Sequence, residues 1–170
     1  MSVRLTKLTP DDEPTLRAWA HDFLVEHLRW WSDAGGLGWS DTAIGGHIVG
    51  HDLAERDARR LREAAARWQT NLVVVARDER PLGAIWAEST TDAFLGIEVG
   101  VIAWIYVIPA ARGRGVGGTL VEAAKAWMRE RGLDLVQLHV VGANAAAVRM
   151  YEKAGLRVVD FRMLGRLAAP

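Results

Sequence analysis

The chain reads as an α/β protein, a mixed central β-sheet flanked by helices in the order β-α-α-β-β-β-α-β-α-β, and three features carry that reading. An apolar run from Val99 to Val107 leads into a glycine turn, Arg112-Gly113-Arg114-Gly115-Val116-Gly117-Gly118, which opens an amphipathic helix. A further apolar run, Leu135 to Val140, follows that helix, and two strands joined in this way lie parallel with a right-handed crossover. Upstream, Leu72 to Ala76 and Leu82 to Ala87 flank the turn Asp78-Glu79-Arg80-Pro81 and read as an antiparallel hairpin, so the sheet is mixed.

Each element has a local reason. Val3 to Leu8 is a first strand. Thr9-Pro10-Asp11-Asp12 starts a helix with a capping hydroxyl, a proline in the first turn and acids on the positive end of the dipole; the helix runs to about Trp30. Ser32 to His51 holds six glycines without a sustained period and reads as an irregular connection. Between Asp52 and Trp68, Ala54, Ala58, Leu61, Ala65 and Trp68 recur at helical spacing, while Asp52/Arg56, Glu55/Arg59 and Glu63/Arg67 stand four apart, which makes a surface helix. Ser89 to Leu95 is a second polar connection, and Val99 to Val107 is apolar on both faces, as in the middle of a covered sheet. From Gly117 to Arg131 a helix buries Leu120, Val121, Ala124, Trp127 and Met128, then stops at Gly132. A short helix, Ala145 to Ala154, halts at Gly155, and a last strand from Leu156 to about Leu164 completes the order.

Composition narrows the classes. Half of the 170 residues are apolar, enough for one core, and residues 1–170 read as a single domain. The absence of cysteine excludes disulfides, thiolate metal sites and an acyl-cysteine intermediate, and it suits a reducing cytoplasm, the expected location. Lys and Arg number 21, as do Asp and Glu, so no global field favours nucleic acid or an anionic membrane. No run approaches the ~20 apolar residues of a membrane span. His47 and His51 stand four apart, which suits a metal only on a helix; the glycines around them argue against one, and no metal is assigned. A free sheet edge leaves a homodimer open.

The glycine turn carries the chemistry. The first turn of a helix has N–H groups without partners and the positive end of the macrodipole, and glycines let an anion reach them without a Cβ in the way. Read as Gly113-x-Gly115-x-x-Gly118, the turn also fits a dinucleotide fingerprint. The next strand, however, is preceded by Asp134 instead of ending in an acid, and only about fifty residues follow, too few for a doubly wound domain. A P-loop is excluded because Thr119 follows Gly118 with no Gly-Lys pair.

Arg112, Gly115 and Gly117 fill the pattern Arg/Gln-x-x-Gly-x-Gly/Ala, and Asn144-Ala145-Ala146-Ala147-Val148-Arg149-Met150-Tyr151-Glu152-Lys153-Ala154-Gly155-Leu156 follows in order. Together these resemble the strand-turn-helix motif and the Asn-x-x-Ala-x-x-x-Tyr-x-Lys-x-Gly-Phe element of the GNAT superfamily of acetyl-CoA-dependent N-acetyltransferases, with Leu156 where Phe is common. The resemblance covers roughly Val99 to Leu164. It implies a parallel strand pair that splays to admit the pantetheine arm, and acetyl-CoA as co-substrate. It further implies pyrophosphate contacts from Arg112, Gly113, Arg114, Gly115, Val116, Gly117 and Gly118. The backbone of Ile105, Tyr106 and Val107 then binds the pantetheine and the acetyl carbonyl, where main-chain donors stabilise a tetrahedral intermediate. Asn144, an N-cap by its own residue type, gains a cofactor contact.

Tyr151 is the proton donor that the resemblance implies for the leaving thiolate. A phenol of pKa near ~10 stays protonated at neutral pH and can supply a thiolate whose conjugate acid is near ~8.5. The general base departs from the family, because the position that carries glutamate in many members is Val101 here. Glu98, Glu88 and a water relay remain as alternatives. Some base is needed, since an amine of pKa about 10.4 is neutral in only ~0.1 % of molecules near pH 7.4, a cost of roughly 4 kcal/mol. For a cationic acceptor, Trp30, Trp39 and Asp41 offer aromatic faces and a carboxylate. The implied activity is transfer of acetyl to a primary amine of a small molecule or peptide. A non-catalytic CoA-binding regulatory module is the alternative that Val101 keeps open, and a nucleotide-dependent oxidoreductase lacks its acidic ribose ligand.

Overall fold

The computed structural model describes residues 3–164. Strand β1 (Arg4–Lys7) is followed by three helices, α1 (Glu13–Ala34), α2 (Asp41–Gly50) and α3 (Leu53–Ala66). Strands β2 (Asn71–Arg77), β3 (Pro81–Thr91) and β4 (Glu98–Val107) come next, then α4 (Val116–Arg129), β5 (Val136–Leu138) and α5 (Ala145–Lys153). The sheet runs β1-β2-β3-β4-β5; every neighbouring pair is antiparallel except β4 and β5, which are parallel as the crossover requires.

The start of α1 follows from its residues. The Thr9 backbone N–H and hydroxyl both donate to Asp12 Oδ2 at 2.9 Å, and a 3₁₀ turn at Pro10–Asp12 passes directly into the helix. Arg77 on β2 holds the other oxygen of Asp12, which fastens the helix start to the sheet. One face of the sheet packs Leu16, Trp19, Leu61 and Ala64 of α1 and α3 against Val73, Val75, Ala84, Trp86, Trp104 and Tyr106. The other packs Val116, Leu120, Val121, Ala124, Trp127 and Met128 of α4 against Ile85, Ala87 and Ile102. Burial of each large apolar side chain among these stabilises by about 1.5–3 kcal/mol, so covering both faces explains why β4 is apolar from Val99 onward.

Two expectations are corrected. The segment Ser32 to His51 is not an irregular connection, because Asp41–Gly50 is helical. Each helical glycine costs about 1 kcal/mol, but Ser40 Oγ accepts from the Ala43 amide at 3.2 Å, and Ile44 and Ile48, one turn apart, bury against Leu24 and Leu53. The last strand does not form: residues 155–164 carry no strand, Val159 is 93% and Phe161 86% exposed. An alternating pattern becomes a strand only when a neighbouring edge completes its ladder, and β5 pairs along only three residues, with β4. The observed order is therefore β-α-α-α-β-β-β-α-β-α.

Within β4 the register shifts between Trp86↔Trp104 and Ala87↔Ile102, so Ala103 is an extra residue, a β-bulge. The bulge resets the alternation. Ile102 faces α4, whereas Trp104 and Tyr106 face α1 and α3.

Candidate acyl-transfer site

The parallel pairing of β4 with β5 covers only Gly100↔Val136, Val101↔Gln137 and Ile102↔Leu138. Beyond the bulge, Trp104 to Val107 continue paired to β3 alone, so the strands part and leave one edge of β4 open. Ile105, Tyr106 and Val107 lie on that stretch, as the resemblance implies. The turn beyond them needs glycine at two points: Gly113 and Gly115 have φ of 74° and 84°.

Helix α4 then begins with no side-chain cap, and its first ladder bond is Thr119 N–H to Gly115 O at 3.0 Å. The amides of Val116, Gly117 and Gly118 precede the ladder, at the positive end of the dipole. A Cβ at Gly113, Gly115 or Gly118 would meet nothing within 4 Å, so the main chain there is open to a ligand; at Gly117 it would meet Met150 Sδ at 2.6 Å. Gly117 thus seats α5 against α4. The cradle fits a pyrophosphate held by amides.

Tyr151 is 7% exposed and packs in the cluster of Ile102, Val116 and Leu120, with Ile105 and Val107 against it. Burial pushes its phenol up to about 12. Asn144 caps α5, its Oδ1 accepting from the Ala147 amide at 3.2 Å.

The two acid candidates separate. Glu88 is half-buried and directly opposite Val101, whereas Glu98 is exposed at the start of β4 with its carboxylate on the Thr91 hydroxyl. The acceptor candidates are not brought to the open edge of β4. Trp39 packs beside Leu24, Ile44 and Ile48 with its ring 5.2 Å from His47, and Asp41 receives Arg29 at 2.8 Å on the surface. Trp30 is half-buried near the end of α1. His47 lies on α2 and His51 at its C-cap, their rings 4.5 Å apart, although the glycines argued against a helix there. Among the described residues no group of three or more His, Asp or Glu side chains could hold a metal.

Sequence reasoning missed Asp22 and Glu26. They stand four apart on the face of α1 that also carries Trp19 and Phe23, a spacing visible in the chain. Asp22 accepts from the Tyr106 hydroxyl at 3.3 Å, while the Trp19 ring lies 5.9 Å from that of Tyr106 and the Phe23 ring 5.6 Å from that of Trp104. Burial, with the charges of Asp22 and Glu26, pushes the Tyr106 phenol up to about 12. The Trp104 indole N–H on this face is buried without a hydrogen-bond partner among the described residues. Arg112 stands at the start of the turn and its guanidinium reaches α1, with Nη2 at 2.8 and 2.9 Å from the two oxygens of Glu26.

Comparison with known proteins agrees with this geometry. Residues 51–156 match the model of the acetyltransferase (GNAT) family. The mycothiol acetyltransferase of Propionibacterium freudenreichii subsp. shermanii is 38% identical over 90 residues, 52% of this chain and 28% of that protein. That of Cellulomonas flavigena is 31% identical over 115 residues, 65% of this chain and 32% of that protein. The chain therefore matches about a third or less of the length of these relatives. The fold is that of the PaiA N-acetyltransferase of Thermoplasma acidophilum, solved in complex with coenzyme A: TM-score 0.71 at 21% identity, over 95% of this chain and 94% of that one. No helix among the described residues is long and apolar enough to cross a membrane.

Proposed function

Because the chain belongs to the GNAT family of acetyltransferases, we propose that it moves an acetyl group from acetyl-CoA to a primary amine of a small molecule or peptide, by direct attack in a ternary complex. The observation that carries this reading is the opening of β4 from β5 immediately before a glycine turn whose amides lead into α4. The turn holds the pyrophosphate, and the open edge of β4 holds the pantetheine and the acetyl carbonyl. The chain has no cysteine to form an acyl-enzyme, which supports direct transfer.

In this reaction the amine nitrogen attacks the thioester carbonyl carbon, a C–N bond forms and the C–S bond breaks. The amine gives up one proton to a base, and the departing thiolate takes one from Tyr151. A phenol at about 12 is a weak donor to a thiolate whose conjugate acid is near ~8.5 in water. The desolvation that raises the phenol also raises a thiol in the same pocket, so the two draw together as the thiolate forms. Glu88, opposite Val101, is the carboxylate best placed to relay the amine's proton through water.

A panel of amines assayed for thiol release from acetyl-CoA tests the proposal. The name shared by the relatives puts mycothiol-related amines at its head. Amine-dependent release supports it; CoA binding without any release above hydrolysis would favour a regulatory CoA-binding module, the reading that Val101 in the usual acid position supports.

A further inference from the structure

Arg112 belongs to the turn, yet its side chain leaves it. Nε donates to Val107 O at 2.9 Å, Nη2 sits between both carboxylate oxygens of Glu26, and the guanidinium lies 5.7 Å from the centre of the Tyr106 ring. Tyr106 is on the face of β4 that packs against α1, so the guanidinium is committed to that side and its charge is met by Glu26. A phosphate at the turn meets the amides and the helix dipole, with Arg114 in the same turn. Four residues on three elements are thereby joined: Glu26 and Asp22 on α1, Tyr106 on β4, and Arg112 at the start of the turn.

We propose that Glu26 is a positioning residue that couples the pyrophosphate turn to α1. By holding Arg112 it makes α1 follow the turn, so that fixing the turn on the pyrophosphate of CoA also fixes the face of α1 that carries Asp22 and Glu26 beside the open end of β4. A Cβ at Gly113 or Gly115 would meet nothing within 4 Å, so the main chain of the turn is open, and an anion bound to its amides adds contacts that the free turn lacks. That gain reaches α1 through a charge-assisted contact with two oxygens on one nitrogen, which resists rotation more than a single bond does. The inference rests on the acetyl-CoA reading above. It concerns how that site communicates, not whether it exists.

The test is amide hydrogen exchange of the full chain with and without CoA, in the wild type, Glu26→Gln and Arg112→Lys. Neither variant touches the packing of Leu16 and Trp19 that seats α1, and thermal melting verifies that both fold. In the wild type, CoA slows exchange at residues 113–119 and, by about fivefold, along residues 21–34. In both variants the effect on 21–34 vanishes while the turn is still protected, and in Glu26→Gln, which lies outside the turn, the CoA Kd stays within about threefold. Protection of the turn without α1 in the wild type, or protection of α1 that survives in Glu26→Gln, overturns the coupling. Absence of CoA protection at the turn itself overturns the reading on which the coupling stands.

Discussion

Val101 of β4 stands directly opposite Glu88 of β3, with Gln137 of β5 as its neighbour on the other side. The position at which the resemblance implies an acid is thus apolar, but a carboxylate lies one strand away on the same row. Glu88→Gln is expected to lower kcat/KM by about 10²-fold and to remove an ionisation from the rising limb of its pH profile. Glu98→Gln, whose carboxylate is exposed and bonded to Thr91, stays near wild type. The reverse ranking would assign the base to Glu98, and two unchanged profiles would leave water alone as the relay.

Tyr151→Phe keeps the ring that packs against Val116 and Leu120 and removes only the hydroxyl. Melting temperature and CoA affinity should persist while kcat falls by about 10²-fold. Normal turnover in this variant would make Tyr151 a packing residue.

The same tyrosine sets an alkaline limit. Its phenol and that of Tyr106 are raised from 10.0 to about 12 in the folded chain, so the folded state binds these protons more tightly than the unfolded state. The stabilisation is complete below pH 10 and is lost as the pH rises towards 12. Chemical denaturation across that window should show stability falling, with a shallower fall in Tyr151→Phe. An equal slope in both proteins would place the effect elsewhere.

Gly118→Glu separates anion binding from packing. A Cβ there meets nothing within 4 Å, and an acid in the first turn of α4 suits the helix dipole, so the fold should be as stable as wild type. Its charge beside the pyrophosphate should weaken CoA binding by at least about tenfold, as calorimetry would show. Gly117→Ala behaves in another way: its methyl meets Met150 Sδ at 2.6 Å, so that side chain must shift to accept it. CoA affinity unchanged in Gly118→Glu would move the pyrophosphate away from this turn.

Trp39→Ala is expected to cost about 2 kcal/mol of stability, because the ring packs against the α1–α2 core of Leu24, Ile44 and Ile48. Asp41→Ala, which loses an exposed pair with Arg29, changes stability by less than about 1 kcal/mol. A rise in KM for the amine without loss of stability in Trp39→Ala would return this residue to acceptor binding.

Short stretches of chain are enough to specify the turn from Arg112 to Gly118, the helix it opens, the β2–β3 hairpin, the helix Leu53–Ala66 and the Asn144 cap. Each follows from steric and hydrogen-bonding preferences that act within a few residues, so each is legible before any folding is considered. Contacts between distant segments settle the rest. Helix α2 exists because Ile44 and Ile48 find Leu24 and Leu53, although its glycines disfavour it locally. The apolar pattern from Leu156 to Leu164 forms no strand because no sheet edge meets it, and the bulge at Ala103 arises from pairing with β3. The bond from Arg112 to Glu26 spans 86 residues of sequence, a contact that no local pattern encodes and that forms only when α1 and the turn are laid on the same strand.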